Sequence, residues 1–300
     1  MVIEPWGRNS LRVRSTMMGD IQETDYALLP ITKAAGAVVE ITQHQGVIIN
    51  GKIKAVLTED PWSKTGTIAY YNQENRLLLE EQGWHGALNL YARKFKPILG
   101  GDYRLTVSFE SQEEEKLFGM GQYQQEVMDL KYCSLELAHR NSQASVPFLL
   151  SSRGYGFLWH NPAVGKVTFG KNVTQWESYS TKQLDYWITA GDTPAEIEEA
   201  YAEATGKVPM MPEYGLGFWQ CKLRYWNQEQ VLNVAREYKK RNIPLDVIVI
   251  DFFHWPRMGD FRFDEKFFPD PEAMNKELEA MGVKLMVSVW PQIDLRSENF

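Results

Sequence analysis

The sequence is poor in cysteine and has no recognisable metal-binding motif. Only Cys133 and Cys221 occur in its 300 residues, so a framework of disulfide bonds is not expected. No two cysteines are separated by two residues, and no two histidines have the close spacing of a metal site. The histidines are scattered along the chain: His44, His85, His139, His160 and His254. We therefore expect no metal site.

Long apolar runs and clusters of positive charge are also missing. No apolar run approaches a length of about 20 residues, which a membrane-spanning helix needs. Residues 1–8 lack the apolar segment of a secretory signal. The net charge is -7 with Lys and Arg scattered, which argues against nucleic acid or an anionic membrane as a partner. We expect a soluble cytoplasmic protein with neither kind of partner.

Two common catalytic frameworks are absent as well. Gly215 and Gly217 resemble the start of a dinucleotide-binding loop, but a third glycine is missing and the bulky Phe218 and Trp219 follow. Packing of a barrel strand explains these glycines better than a phosphate site does. The sequence has no Gly-x-Ser-x-Gly motif, and neither cysteine has a nearby histidine to activate it. A nucleotide-binding site and a serine or cysteine nucleophile are therefore not expected.

Aromatic residues, in contrast, are abundant. They make up 13% of the chain and include ten tryptophans. This composition favours the binding of rings or sugars, although a large β-sheet core would account for part of it.

Residues 1–190 have the pattern of an antiparallel β-sandwich. Short apolar and β-branched runs alternate with turns rich in Gly, Asn and Asp. Asn50-Gly51 lies between two such runs, and this dipeptide is a strong signal for a tight hairpin. The predicted strands are 11–14, 38–42, 46–49, 53–57, 76–80, 103–110, 146–151, 157–160 and 183–189.

A helix and a stiff segment follow the sandwich. Thr193 and Glu196 form a capping box with Pro194 at the first helical position, and the predicted helix runs to about Ala204. Residues 209–212 contain two prolines and predict a stiff connection. We predict a first domain over 1–190, a linker helix and proline-rich connection over 191–212, and a second domain over 213–300.

The second domain reads as alternating strands and helices. Asn227, paired with Gln230, predicts the start of one helix, and Asp270 followed by Pro271 predicts the start of another. The predicted strands are 214–220, 245–250 and 283–290, and the helices between them end near Asn242 and at Gly282. This order predicts the first three β/α units of a (β/α)8 TIM barrel. A closed barrel takes about 250 residues, so we expect this one to be incomplete.

Asp251 is the strongest candidate for a functional residue. It ends the apolar central strand, where α/β architectures place their ligands, and Phe252, Phe253, His254 and Trp255 follow it. A carboxylate beside aromatic faces suits a sugar, because hydroxyls need an acceptor and C–H groups need a flat apolar surface. From spacing alone, Asp251 could be a catalytic acid or base, an acceptor for substrate hydroxyls, or a helix N-cap.

Other candidates are ambiguous on spacing. Trp290 ends the third predicted strand and would line the same mouth as Asp251 or belong to the core. Asp294 reads equally well as a substrate contact and as part of a turn that pairs with Arg296. Asp260 and Asp264 lie in a polar loop and are expected to be solvated or structural.

Several ordered motifs resemble glycoside hydrolase family 31, most closely its α-xylosidase-like and α-glucosidase-like members. In the second domain the motifs are 217–225, 242–251, 260–264, 268–271 and 289–291. In the first domain they are 118–122 and 146–156, which resemble the N-terminal, galactose-mutarotase-like β-sandwich of that family. The resemblance covers nearly the whole chain.

The resemblance implies a retaining α-glycosidase that works by double displacement on an oligosaccharide or α-glycoside, without a cofactor. Asp251 matches the family's aspartate that binds sugar hydroxyls, Phe252 and Phe253 match pocket-wall residues, and Trp290 matches a tryptophan of the pocket floor. No catalytic residue carries over, because the family's nucleophile lies in a Trp-x-Asp-Met-Asn-Glu-like segment that this sequence lacks. The chain is therefore expected to be an inactive fragment, and homo-oligomer formation by the full-length enzyme stays open.

Substrate choice depends on the residues after Asp251. Many α-glucosidases of the family carry Asp-x-Asp-Tyr-Met where this chain has residues 251–255, with Phe253 in place of the second aspartate. Bulky rings resemble the α-xylosidase branch, where they fill the space that a glucose hydroxymethyl would need. This resemblance predicts that α-xylosides are preferred and α-glucosides are accepted. The alternative hypothesis is a non-catalytic carbohydrate-binding or interaction module built on the sandwich.

Overall fold

The computed structural model describes residues 1–30, 36–60, 65–83 and 91–300. Among the predicted features, His85 lies outside these residues. The chain divides into two compact units, Met1–Val208 and Pro209–Phe300. The first unit is built almost entirely from antiparallel strands, which confirms the prediction of a β-rich first part.

Two antiparallel sheets of the first unit face each other. The first sheet has six strands in the order β1 (Val2–Pro5), β2 (Ser10–Thr16), β16 (Gln183–Ala190), β13 (Tyr155–Trp159), β12 (Ala144–Ser151) and β10 (Leu117–Gln122). The second has five strands in the order β11 (Ser134–Leu137), β14 (Gly165–Phe169), β15 (Val173–Thr181), β9 (Tyr103–Glu110) and β8 (Arg93–Pro97). Rings from both sheets meet in one core, where Phe157 lies 5.1 Å from Trp176 and 5.5 Å from Phe109.

A third antiparallel sheet contributes to the same core. Its five strands follow one another in sequence: β3 (Val38–Ile41), β4 (Gln45–Asn50), β5 (Ile53–Glu59), β6 (Gly66–Tyr71) and β7 (Leu77–Glu80). Asn50 pairs with Ile53 across the turn, so the hairpin predicted at Asn50-Gly51 is confirmed. Buried Tyr70 of this sheet bonds to Tyr186 of the first sheet through their hydroxyls, 2.6 Å apart.

A buried ion pair ties the first sheet to the loop before β3. Arg12 on β2 makes two hydrogen bonds to Asp185 on β16, at 3.0 and 2.7 Å, and a third to Asp25 at 2.6 Å. Nε2 of His160 accepts the backbone N–H groups of Tyr26 and Ala27 at 3.2 and 3.0 Å. These contacts satisfy an otherwise costly buried charge and fix residues 25–27 against the sheet.

Helix α1 (Pro194–Thr205) completes the first unit. The Thr193 hydroxyl accepts the N–H of Glu196, which confirms Thr193 as the N-cap. The Glu196 carboxylate accepts the N–H of Asp192, one residue before the cap, so the second bond of the predicted capping box is shifted by one residue. The helix packs against β13 and β16 through buried Ile197. It therefore belongs to the first compact unit.

The second unit contains a parallel sheet with two covering helices. Strands β17 (Trp219–Lys222), β18 (Val247–Ile250) and β19 (Lys284–Val287) lie in that order and are all parallel. Helix α2 (Gln228–Lys240) connects β17 to β18, and helix α3 (Pro271–Ala280) connects β18 to β19. The predicted caps are confirmed, since Asn227 accepts the N–H of Gln230 and Asp270 accepts the N–H of Ala273.

Two strands of this unit have limits that differ from the predicted ones. Residues Glu213–Leu216 form a short 3-10 helix, so the strand predicted at 214–220 was wrong in its first half, and β17 begins at Trp219. The Asp246 carboxylate accepts the Phe218 N–H at 3.0 Å and lies against Gly217, which bends the chain before the strand. The strand predicted over 283–290 ends at Val287, and Trp290 follows in a loop.

Among the described residues, no helix has both the length and the apolar character needed to cross a membrane.

Candidate functional site

The carboxyl ends of the three parallel strands lie side by side. Lys222 pairs with Ile250, and Ile250 pairs with Val287, so each strand ends at the same level. The N–H of Ser288 donates to the oxygen of Ile250 at 3.0 Å and extends this pairing by one residue. Asp251 is the first residue beyond β18. It therefore lies at the edge where ligands bind in parallel sheets.

Asp251 is partly buried and does not cap a helix. Its Oδ1 accepts the N–H of the next residue, Phe252, at 2.9 Å, and α3 begins only at Pro271 with Asp270 as its cap. The N-cap hypothesis for Asp251 was therefore wrong. Its Oδ2 has no hydrogen-bond partner among the residues that the structure describes, which leaves one carboxylate oxygen able to accept hydroxyl groups.

An aromatic cluster of Phe252, Phe253, Trp255 and Trp290 surrounds this edge. The ring of Phe252 lies 3.8 Å from Phe253 and 4.8 Å from Trp290, measured between centroids. Trp290 also lies 6.3 Å from Trp255. Phe253 is 43% exposed, and Trp290 is partly exposed rather than a core residue. The structure thus brings the rings of Phe252, Phe253 and Trp290 together next to Asp251, and these are the four residues predicted for the site.

The backbone after Asp251 is strained. Phe252 and Phe253 both have positive φ angles, 45° and 58°, a region that residues other than glycine seldom occupy. Two such residues in succession persist only when surrounding contacts hold them. This strained turn carries the Phe252 ring, which contacts both Phe253 and Trp290.

His254 packs against Trp255, the buried member of the aromatic cluster. They are 5% and 7% exposed, and their rings lie 4.6 Å apart. Burial lowers the pKa of the His254 imidazole, and the charge of Asp251 opposes this effect. The lowered pKa favours the neutral imidazole, and the buried ring packs against Trp255 and Phe263.

Arg224 is a member of the site that the sequence reasoning did not single out. It lies in the loop after β17, with its guanidinium 3.8 Å from the ring centroid of Trp226 and 5.3 Å from that of Phe253. A signal was available, because Arg224 is part of the motif at 217–225 and follows a strand end. Cys221 lies nearby on β17; burial and then the charge of Asp251 raise the pKa of its thiol, which keeps it protonated.

The remaining carboxylates have structural partners. Asp294 accepts hydrogen bonds from the backbone N–H and the guanidinium of Arg296, at 2.8 and 3.1 Å. Of the two alternatives for Asp294, the turn that pairs with Arg296 agrees with these contacts. Asp260 was expected to be either solvated or structural. It is 4% exposed and accepts a hydrogen bond from Ser297, so the structural role is confirmed. In the part of the chain that the structure describes, no group of His, Cys, Asp or Glu is arranged to hold a metal ion.

Residues 208–300 match the family model for the glycosyl hydrolases family 31 TIM-barrel domain. A curated relative from Pseudescherichia vulneris, an uncharacterized family 31 glucosidase, is 51% identical over 99% of this chain. The chain belongs to glycoside hydrolase family 31. An α-xylosidase from Saccharolobus solfataricus is 36% identical to this family 31 chain, and the match covers 66% of this chain.

A solved structure supports the same relationship. The crystal structure of a family 31 α-xylosidase from a soil metagenome, complexed with xylose, matches 99% of the chain at 51% identity with a TM-score of 0.90. The family 31 chain spans only 45% of that protein, 58% of the Pseudescherichia relative and 29% of the Saccharolobus relative. The relatives thus contain extensive sequence that this chain does not match.

Proposed function

We propose that this chain is the N-terminal part of a retaining α-glycosidase that hydrolyses terminal α-linked sugars. The observation that supports this proposal most strongly is the position of the Asp251 carboxylate, which lies among aromatic rings at the carboxyl edge of a parallel sheet in a chain of family 31. In this proposal the sheet is the first three β/α units of a TIM barrel, and the preceding unit is the galactose-mutarotase-like sandwich. The enzyme acts in the cytoplasm on an oligosaccharide or simple α-glycoside.

Each residue at the edge has a distinct part in binding. The free Oδ2 of Asp251 accepts sugar hydroxyls, and a charged acceptor makes a stronger hydrogen bond than a neutral one. Phe252 and Trp290 present rings to the C–H surface of the sugar, with Phe253 at the exposed side. No residue named here transfers a proton or attacks the sugar.

The catalytic carboxylates belong to later strands of the barrel. Retaining glycosidases need a nucleophile and an acid/base whose carboxyl groups are about 5–5.5 Å apart. The sequence carries no Trp-x-Asp-Met-Asn-Glu-like segment, and Asp260 and Asp294 are held by Ser297 and Arg296. This chain by itself is therefore inactive.

The preferred substrate is an α-xyloside. Xylose lacks the hydroxymethyl group of glucose, and in this proposal the rings of Phe252 and Phe253 fill the space that this group would need. Two of the similar proteins, the Saccharolobus α-xylosidase and the α-xylosidase solved with xylose, agree with this choice. One such group changes binding by only about 1–3 kcal/mol, so α-glucosides remain slower substrates.

The test compares the 300-residue chain with the same reading frame extended to its stop codon. Both proteins are assayed for release of a chromophore from an aryl α-xyloside and an aryl α-glucoside. We expect activity only in the extended protein, with the xyloside preferred. Retention of configuration is read from the anomer that forms first, by proton NMR.

Three outcomes would contradict parts of the proposal. Turnover by the 300-residue chain would place the catalytic carboxylates among the residues named here. Preference for the glucoside would remove the role of the phenylalanines in sugar choice. An extended protein that hydrolyses neither glycoside but binds xylose would favour the non-catalytic binding module.

A further inference from the structure

Two long loops follow the strands that carry the aromatic cluster. The first, residues 251–270, connects β18 to α3 and contains Phe252 and Phe253. The second, residues 288–300, follows β19 and contains Trp290. At their near ends the loops are fixed by strand pairing, since the Ser288 N–H donates to the Ile250 oxygen at 3.0 Å. A loop fixed only at that end would leave its side chains free to move.

Asp260 joins the far parts of the two loops. Its Oδ1 accepts the hydroxyl of Ser297 at 2.7 Å and the N–H of Glu298 at 3.0 Å. Asp260 is 4% exposed and Ser297 is 8% exposed, so these bonds form away from water. Hydrogen bonds to a buried charge are stronger than neutral ones and costly to break, because the carboxylate would be left unsatisfied.

Further contacts support the same junction. The Asn299 amide donates to the oxygen of Gly259 at 2.8 Å, and Arg262 pairs with Glu298 at 3.0 Å. Gly259 has a φ of 93°, and a Cβ at this position would come within 2.8 Å of the Ile293 Cα, so only glycine permits this approach. We call these contacts of residues 259–262 with Ile293 and residues 297–299 the loop clamp.

The aromatic cluster lies between the strand pairing and the loop clamp. Phe252 is adjacent to the strand end in the first loop, and Trp290 is close to the strand end in the second, with their rings in contact at 4.8 Å. Phe252 and Phe253 hold backbone angles that require support from their surroundings. The two loops are therefore joined at two places, by the pairing of β18 with β19 and by the loop clamp. This double attachment limits the motion of one loop relative to the other.

We propose that Asp260 is a positioning residue for the sugar-binding surface, acting through the loop clamp on the contact between Phe252 and Trp290. Asp260 touches no sugar itself. Its role as a determinant of sugar affinity rests on the proposed function, whereas its role in placing Trp290 does not.

The first test observes Trp290 directly in the 300-residue chain. The protein is labelled with 5-fluorotryptophan, and the fluorine resonance of Trp290 is assigned with Trp290→Phe. We expect Asp260→Ala to shift or broaden this resonance, and Asp260→Asn, which keeps an acceptor oxygen, to restore most of the original line. The lines of Trp159 and Trp176, which stack in the first unit, serve as internal references.

Asp270→Ala is the matched control. It removes a carboxylate from the same loop and the cap of α3, but leaves the clamp intact. We expect it to lower stability without changing the Trp290 line. An unchanged Trp290 line in Asp260→Ala, or an equal change in both variants, would overturn the proposal, because either result would show that the clamp does not position the ring.

Ser297→Ala guards against a variant that fails to fold. It removes one donor to Asp260 and leaves the Glu298 N–H in place. We expect a smaller change in the Trp290 line in the same direction as Asp260→Ala. A folded Ser297→Ala protein with an unaltered Trp290 line would count against the clamp.

The second test measures xylose binding by calorimetry in the extended protein. Loss of the two charge-assisted bonds is expected to raise the dissociation constant about tenfold in Asp260→Ala and to leave it unchanged in Asp270→Ala. If the unmutated extended protein neither binds xylose nor hydrolyses a glycoside, the proposed function fails, and the clamp is judged from the fluorine spectra alone.

Discussion

Phe252 and Trp290 contact each other across two neighbouring strand ends, with ring centroids 4.8 Å apart and planes inclined by 45°. The two residues are far apart in sequence, and each lies beyond the end of its strand. Their contact depends on the parallel pairing of β18 with β19, which brings both strand ends to one level. The same pairing places Asp251 beside the rings.

Asp251→Asn should reduce turnover in the extended enzyme. The substitution keeps the shape of the side chain and removes the charge that strengthens its bonds to hydroxyls, so kcat/KM for an aryl α-xyloside should fall by about tenfold to hundredfold. Asp294→Asn is the control, because Asp294 pairs with Arg296 in a turn. Equal losses in the two variants would contradict a binding role for Asp251.

Phe253→Ala should change the preferred sugar. Removing this partly exposed ring makes room for a hydroxymethyl group, so the ratio of kcat/KM for α-glucoside over α-xyloside should rise by about tenfold. Phe267→Ala is the control, since the Phe267 ring makes a cation–π contact with the Lys266 ammonium and does not belong to the aromatic cluster. A ratio that stays constant in Phe253→Ala would show that sugar size is read elsewhere.

Asn227→Ala should destabilise the second unit without affecting the site. The Asn227 side chain accepts the Gln230 N–H at 3.0 Å and caps α2, and loss of such a cap costs about 1 kcal/mol. Urea unfolding followed by fluorescence measures the change. Asn227→Asp keeps an acceptor and should retain the stability of the parent; a loss as large as that of the alanine variant would show that the cap is not the cause.

Asp185→Ala should destabilise the first unit strongly. The substitution leaves the buried guanidinium of Arg12 without its two-bond partner, which costs about 3–5 kcal/mol. The double variant Arg12→Met with Asp185→Leu removes both charges and should recover most of this loss. The free energies of unfolding in urea decide the matter, and a double variant no more stable than the single one would refute the explanation.

His254 should make stability depend on pH. Burial lowers the pKa of its imidazole in the folded protein, while the unfolded chain takes up a proton near pH 6.5. Unfolding therefore binds a proton below that pH, and the free energy of unfolding should fall as the pH drops through about 6.5 towards the lowered folded value. In His254→Gln this part of the decrease should vanish. Unfolding midpoints measured from pH 8 to pH 5 would reveal parallel curves if His254 made no contribution.

Local signals in the sequence were sufficient for the helices and for much of the site. Thr193, Asn227 and Asp270 cap the helices as predicted, because capping depends on contacts three residues apart. The position of Asp251 could be predicted for a similar reason: it follows a short apolar run that reads as a buried strand. The strand at Tyr103–Glu110 was predicted with its observed limits.

Features that depend on distant contacts were not accessible in this way. The turn before β17 is set by Asp246, which bonds to Phe218 from the start of the next strand. Asp260 was placed in a polar loop, but its burial comes from Ser297, on a different loop. Arg224 gained its neighbour Phe253 only through the parallel pairing of β17 with β18. Spacing along one segment carries no information about such partners.

The two consecutive positive φ angles at Phe252 and Phe253 have a consequence for how this family 31 chain can change by mutation. Glycine at either position would relieve the backbone and also delete a ring from the aromatic cluster. Selection for thermal tolerance alone would therefore favour substitutions that erode recognition, and selection for recognition would keep the turn strained. If the proposed function holds, stability and substrate choice are in direct conflict at these two positions.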